Sequence, residues 1–114
     1  NHQLLYNPVC IPCNDEFVFI PPLDILFIEA IARYSRVYCI NLKAPYITTL
    51  SITQMIDYVP MDIFCRVHRS YIVSIYHKKI MNKTRTRIHF EGGHTVHISE
   101  AYLEDFLQKS RVKK

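Results

Sequence analysis

Cysteine, histidine and arginine are the residues of this 114-residue chain whose types and spacing could carry chemistry. Cys10 and Cys13 form a C-x-x-C unit, the spacing of a zinc half-site or a dithiol redox centre. A zinc ribbon needs a second pair at similar spacing, and Cys39 and Cys65 stand far apart. A thioredoxin-type centre needs its motif between a strand and a helix start, whereas the residues after Cys13 read as a turn and then a strand. Free thiols in a reducing cytoplasm are the expectation. His68, His89 and His97 offer imidazoles to a metal-dependent nuclease, but Ile63 to Phe90 contains no acidic residue to complete such a site. The two glycines, Gly92 and Gly93, are adjacent, so no P-loop, dinucleotide fingerprint or G-x-S-x-G elbow can form. No catalytic residue, metal or cofactor is assigned, and the chain is not expected to be an enzyme.

Charge points elsewhere. The formal net charge of +4 is unevenly spread: Asn1 to Asp62 holds three Lys/Arg against six Asp/Glu, and Ile63 to Lys114 holds eleven against four. Arg66, Arg69, Lys78, Lys79, Lys83, Arg85 and Arg87 follow one another without an intervening carboxylate. Such a run attracts a polyanion in a salt-dependent way, which makes nucleic acid a leading partner. The competing reading is a solvated basic face, or one that docks an acidic protein.

The elements that must position these cations follow from the apolar pattern. With 49% apolar and 21% charged residues, the chain should fold as one compact domain. Its longest uncharged runs, Asn1 to Asn14 and Ala44 to Ile56, fall short of the roughly 18 apolar residues of a membrane span. Residues 1–16 contain Pro8 and Pro12 and little periodicity, and read as a connecting arm; the absence of an initial Met suggests a piece of a longer protein. The folded domain is expected over 17–114. Strands are expected at Phe17–Ile20, Asp24–Ala30, Arg36–Leu42 and Tyr46–Thr49, with Arg33 to Arg36 as a basic loop tip.

Ser51 and Gln54 match a capping box that opens a short helix reaching Val59, ended by Pro60. From Ile63 a period-two pattern puts Cys65 and Val67 on one face and Arg66 and His68 on the other; Arg69 and Ser70 form a basic bend before the strand Tyr71–Ile75. A strand over Lys79–Lys83 and a turn near Thr84 come next. For the last hairpin, a three-residue loop at Gly92 to His94 gathers Ile88, Phe90, Val96 and Ile98 on one face. That register sets His89 opposite His97, about 5 Å apart at Cβ, either as a metal-binding pair or as an exposed polar one. Ser99 then caps a C-terminal helix with Leu103, Phe106 and Leu107 inward.

The run Phe64-Cys-Arg-Val-His-Arg-Ser-Tyr-Ile-Val-Ser74 closely resembles the F-x-R-x-H-R-S-Y-I-V-N core of the LytTR family of bacterial DNA-binding domains. Asp24-Ile-Leu-Phe-Ile-Glu-Ala30 looks like the family's D-I-L-Y-I-E-A strand, and Val96-His-Ile-Ser99 like its closing I-P-V-S. The resemblance runs from about Phe17 to Leu107. It implies a mainly β fold of packed antiparallel sheets with one short internal helix and a C-terminal helix. It also implies sequence-specific contact with double-stranded DNA through loops, as the output domain of a two-component response regulator controlling transcription.

Carried onto this sequence, the DNA-touching residues are Arg33, Ser35 and Arg36 after the I-E-A strand, and Arg66, His68, Arg69 and Ser70 around the H-R-S motif. Arg66 is either a phosphate clamp or a strand-face ion-pair partner, and His68 either a contact or a structural residue. Two departures stand out: Glu100 and Ala101 occupy the place where family members often carry a base-reading arginine, and Ser74 replaces the usual Asn. The resemblance further implies an N-terminal receiver or sensor domain in the full-length protein and a homodimer on DNA. The charge pattern adds the expectation that cations at the two bends converge on one side, spaced to grip successive turns of a duplex.

Overall fold

The computed structural model describes residues 7–78 and 80–111. Residues 1–6, the first part of the expected arm, and Lys79, the first residue of one expected strand, lie outside the described residues.

A five-stranded antiparallel sheet forms the middle layer. Its strands are β3 (Ile25–Ile31), β4 (Tyr34–Cys39), β5 (Tyr46–Thr48), β6 (Phe64–His68) and β7 (Tyr71–Ser74), in the order β5-β4-β3-β7-β6. β3 reads as an unbroken apolar run from Ile25 to Ile28, all buried, because a bulge between Ile25 and Phe27 turns Leu26 and Phe27 toward the same side. The central strand therefore serves two cores. On one face Ile25, Ile28, Val37, Phe64 and Ile72 pack against a hairpin of β1 (Val9–Cys13) and β2 (Glu16–Ile20), and against α1 (Ile52–Met55). On the other, Phe27, Cys65, Val67 and Val73 meet Ile88, Phe90, Val96 and Ile98 of a small sheet, and Phe106 of α2 (Glu100–Ser110). That sheet consists of β8 (Ile80–Met81), β9 (Arg87–His89) and β10 (Thr95–His97), in the order β10-β9-β8.

The mainly β fold with two short helices agrees with the sequence reading, and four details correct it. The segment read as a connecting arm carries β1, whose Val9 and Ile11 are buried. Pro12 is tolerated there because, among the described residues, β1 pairs with β2 alone, leaving the side without an N–H unpaired in any case. Cys10 and Cys13, three residues apart on a strand, fall on opposite faces of that hairpin, so they cannot share a metal ion or a disulfide.

The first helix is a single turn at Ile52–Met55, with the Ser51–Gln54 capping box formed in both directions. The last hairpin keeps its inward face, but its register is shifted by two residues. Thr95 opposes His89 and Arg87 opposes His97, across a five-residue loop closed by Phe90 N–H donating to His94 O at 2.9 Å. His94 and Phe90 both pack on Phe27, with ring centroids 5.4 and 5.5 Å away, and this aromatic cluster favours the longer loop. The expected His89–His97 pair does not form; His89 Nδ1 lies 3.1 Å from Thr95 Oγ1 instead.

Candidate nucleic-acid interface

β3 and β4 close through Ala32 and Arg33, with Ile31 opposite Tyr34. β6 and β7 close through Arg69 and Ser70, with His68 opposite Tyr71. Because β3 and β7 are antiparallel neighbours, both turns emerge at one end of the sheet, and Ala30 N–H donates to Ser70 O at 2.8 Å between them. In the order β4-β3-β7-β6 the two turn centres lie two strand spacings apart, about 10 Å. That is the width of one groove; successive turns of B-DNA are roughly 34 Å apart, so the expectation that the bends grip successive turns does not fit their spacing.

The second bend is framed by its own side chains. Arg66 Nε donates to His68 O at 3.3 Å and Arg66 Nη2 to Arg69 O, while the guanidinium sits 5.8 Å from the Tyr102 ring centroid. His68 Nδ1 accepts from Ser70 N–H at 3.0 Å, and its imidazole meets the Tyr71 ring edge-on at 5.5 Å. An imidazole nitrogen that accepts a backbone N–H is fixed in tautomer and orientation. Arg66, His68 and Ser70 thus shape the bend, and Arg69 is left exposed at its apex.

At the first turn, Arg33 is exposed and Arg36 is half-exposed on β4. Arg36 stands directly opposite Glu29 on β3, with Nη1 3.6 Å from Glu29 Oε1. The Glu29 carboxylate also accepts from both neighbouring tyrosines: Tyr38 Oη donates to Oε1 and Tyr71 Oη to Oε2, each at 3.1 Å. Burial, and then the adjacent Glu29, push both tyrosine hydroxyls above the usual phenol range. Ser35 corrects the sequence reading. β4 begins at Tyr34, two residues before the expected start, so Ser35 is fully buried and its hydroxyl donates to Leu50 O at 2.8 Å. It is no part of a surface loop.

A third basic turn, not chosen from sequence, lies at the same end. Asn82 Oδ1 accepts from Thr86 N–H and Arg87 N–H at 2.9 and 3.0 Å, and its Nδ2 donates to Thr84 and Thr86 hydroxyls. This buckle presents Lys83 and Arg85, the latter at φ 61. Ile98 N–H donates to Thr86 O and Ser99 N–H to Val67 O, at 2.8 and 2.7 Å, which ties the start of β9 to the top of β6 beside the Arg69 bend. The signal was present as Asn-Lys-Thr-Arg-Thr, an asparagine followed by two threonines and interleaved with cations, the composition of a side-chain-stapled turn.

Lys78 belongs to the same basic run in sequence, yet it lies at the opposite end. It follows β7, its Nζ donates to Ile75 O at 3.0 Å, and neighbouring His77 contacts Leu23 O below β3. Partial burial pulls the Lys78 ammonium below the ordinary lysine range. Glu100 opens α2 at the basic end, next to Ser99, whose side chain makes no capping bond.

Among the described residues no three His, Cys, Asp or Glu side chains are grouped so as to hold a metal ion, and no helix is long and apolar enough to cross a membrane. The chain matches the family model of the LytTr DNA-binding domain over residues 15–111. Its fold is similar to the solved LytTr DNA-binding domain of a Bacillus cereus protein described as a methyl-accepting/DNA response regulator. The TM-score is 0.74 at 23% sequence identity, covering 91% of this chain and 96% of that one. No curated protein matches. With 15–111 spanned by the family model and the closing strands, H-R-S bend and terminal helix in order, this chain belongs to the LytTr DNA-binding domain family.

Proposed function

We propose that this chain binds double-stranded DNA sequence-specifically, as the output domain of a bacterial transcriptional regulator of the response-regulator type. The observation that carries the reading is the meeting of three basic turns, Ala32–Arg33, Arg69–Ser70 and Asn82–Thr86, at one end of a rigid sheet. Arg33, Arg69, Lys83 and Arg85 contact phosphates there, while Arg36, whose planar guanidinium suits a guanine edge, enters the major groove. Arg66, His68 and Ser70 act by holding Arg69 in place. No catalytic step is needed. A receiver or sensor domain precedes the chain in the full-length protein, the protein works in the cytoplasm, and two copies bind paired sites.

Selection of bound sequences from a random duplex pool tests the proposal. Enrichment of a defined motif, lost with Arg69→Ala, is the expected result. Failure to enrich any sequence, together with capture of an acidic protein partner by the same face, would favour the interaction module.

A further inference from the structure

The Arg36–Glu29 pair is not arranged like an ordinary surface ion pair. The closest approach is a single 3.6 Å contact, well short of a bidentate fork, although the two residues stand directly opposite on adjacent strands. The carboxylate is committed elsewhere, since each of its oxygens accepts a tyrosine hydroxyl at 3.1 Å. Glu29 sits on the central strand with its side chain 21% exposed, whereas that of Arg36 is 42% exposed. The tyrosines are themselves held: Tyr38 stacks on Phe27 with centroids 4.4 Å apart, and Tyr71 meets His68 of the neighbouring bend. The negative charge is therefore fixed in place whether or not Arg36 stays beside it, and Arg36 is held at the carboxylate by that single contact with the Tyr38 hydroxyl also within its reach.

We infer that Glu29 is a specificity-determining positioning residue: a tyrosine-anchored carboxylate that restrains Arg36 so that it reads a base edge and does not collapse onto the nearest phosphate. The inference rests on the proposed DNA-binding role. A free arginine at a basic rim takes any phosphate on any sequence, adding affinity without discrimination. With Glu29 beside it, a single phosphate contact must compete with an existing counter-ion. Phosphate can take a guanidinium fork as guanine can, but as an anion it competes with Glu29 for the charge, whereas a neutral guanine edge accepts two hydrogen bonds while the carboxylate stays beside the arginine. Glu29 thus withholds the arginine from non-cognate duplex. It acts through Arg36 and touches no nucleotide.

The test compares Glu29→Gln with the unaltered chain, on the duplex enriched by that chain from a random pool and on a shuffled duplex of the same composition. Glutamine keeps the shape and can still accept from a tyrosine hydroxyl, but releases the charge. Binding to the shuffled duplex is expected to tighten, with a log–log salt slope steeper by about 0.9, the value of one added phosphate contact. That slope corresponds to about a threefold greater loss between 50 and 200 mM salt. The preference for the enriched duplex is expected to fall. In an Arg36→Gln background the same change should leave slope and preference alone, a readout that a merely structural role would not produce. Tyr71→Phe provides a second variant: it keeps the ring against His68 but frees Glu29 Oε2 to hold Arg36 more tightly, so affinity for the enriched duplex should fall while the salt slope on the shuffled duplex stays where it is.

A folded Glu29→Gln protein with unaltered slope and preference overturns the inference, and so does an effect that persists without Arg36. Should Glu29→Gln fail to fold, an unchanged preference for the enriched duplex in Tyr71→Phe overturns it instead. If the unaltered chain binds neither duplex, the DNA-binding reading falls as well; if it binds both and only the variants behave otherwise, that reading survives.

Discussion

Individual residues at the basic end divide into those that reach outward and those that build the surface. Arg69 is exposed while its carbonyl is held by Arg66, so Arg69→Ala removes a charge without disturbing the bend. It should weaken DNA binding with a salt slope shallower by about 0.9 and leave the melting temperature unchanged. Titration at several salt concentrations, with thermal melts alongside, checks both. Ser35→Ala should do the reverse. It orphans the Leu50 carbonyl in a buried setting and costs about 1–3 kcal/mol of stability, with DNA affinity per folded molecule retained.

The thiols make a separate prediction at this scale. Burial pushes both Cys39 and Cys65 up to about 12 from an ordinary value near 9, so the unfolded chain gives up these protons first as pH rises. Folded-state stability is then complete below pH 9 and declines between 9 and about 12. Chemical denaturation at a series of alkaline pH values should show a falling midpoint there, shallower in a Cys65→Ala protein. A midpoint flat across that window would contradict the assignment.

At the scale of elements, what the sequence shows and what it hides separate by physical cause. The bend at Arg69–Ser70 and the inward faces of β6, β9 and β10 were legible, because a period-two pattern with one buried face leaves only one parity to choose. The Ser51–Gln54 box was equally plain as a local motif, yet the helix it opens is a single turn, since capping is local and length is set by packing. β1 was hidden because Pro8 and Pro12 argue against a strand in any but an edge position, and nothing local announces an edge. The two-residue register shift in the last hairpin was hidden for another reason: it preserves parity, so it is invisible to the apolar pattern and is decided by the packing of His94 and Phe90 on Phe27.

Of the site, the charges were readable, but not that Ser35 turns inward, because that depends on where β4 begins. The C-terminal helix gives the prediction for this scale. Phe106 is fully buried between α2 and the central sheet, so Phe106→Ala should cost about 3–5 kcal/mol, measured by urea denaturation. Because Ser99, at the N-cap of α2, is tied to Val67 on β6, loosening the helix should also lower DNA affinity even where the protein remains folded.

For the whole molecule, the relevant quantity is where charge lies along the strand axis, not how much there is along the chain. Counting along the sequence assigns the basic field to residues 63–114, but folding redistributes it. Arg33 and Arg36 from the acidic half join Arg66, Arg69, Lys83, Arg85 and Arg87 at one end, together with Glu29 and Glu100. Lys43 and Lys78 end up at the other end, among Asp24, Asp62 and Glu91. A cation at that far end is a whole sheet length from any duplex seated on the turns, roughly 20 Å for strands of this length and beyond the Debye length of about 8 Å at physiological salt. If Arg33, Arg69, Lys83 and Arg85 each neutralise one phosphate, the log–log salt slope for non-specific duplex should be about −3.6. Lys43→Ala should leave that slope intact although it changes net charge as much as Arg33→Ala, which should reduce it by about 0.9. A slope that responded equally to both substitutions would mean that net charge alone governs binding, and the basic end would lose its claim to be the interface.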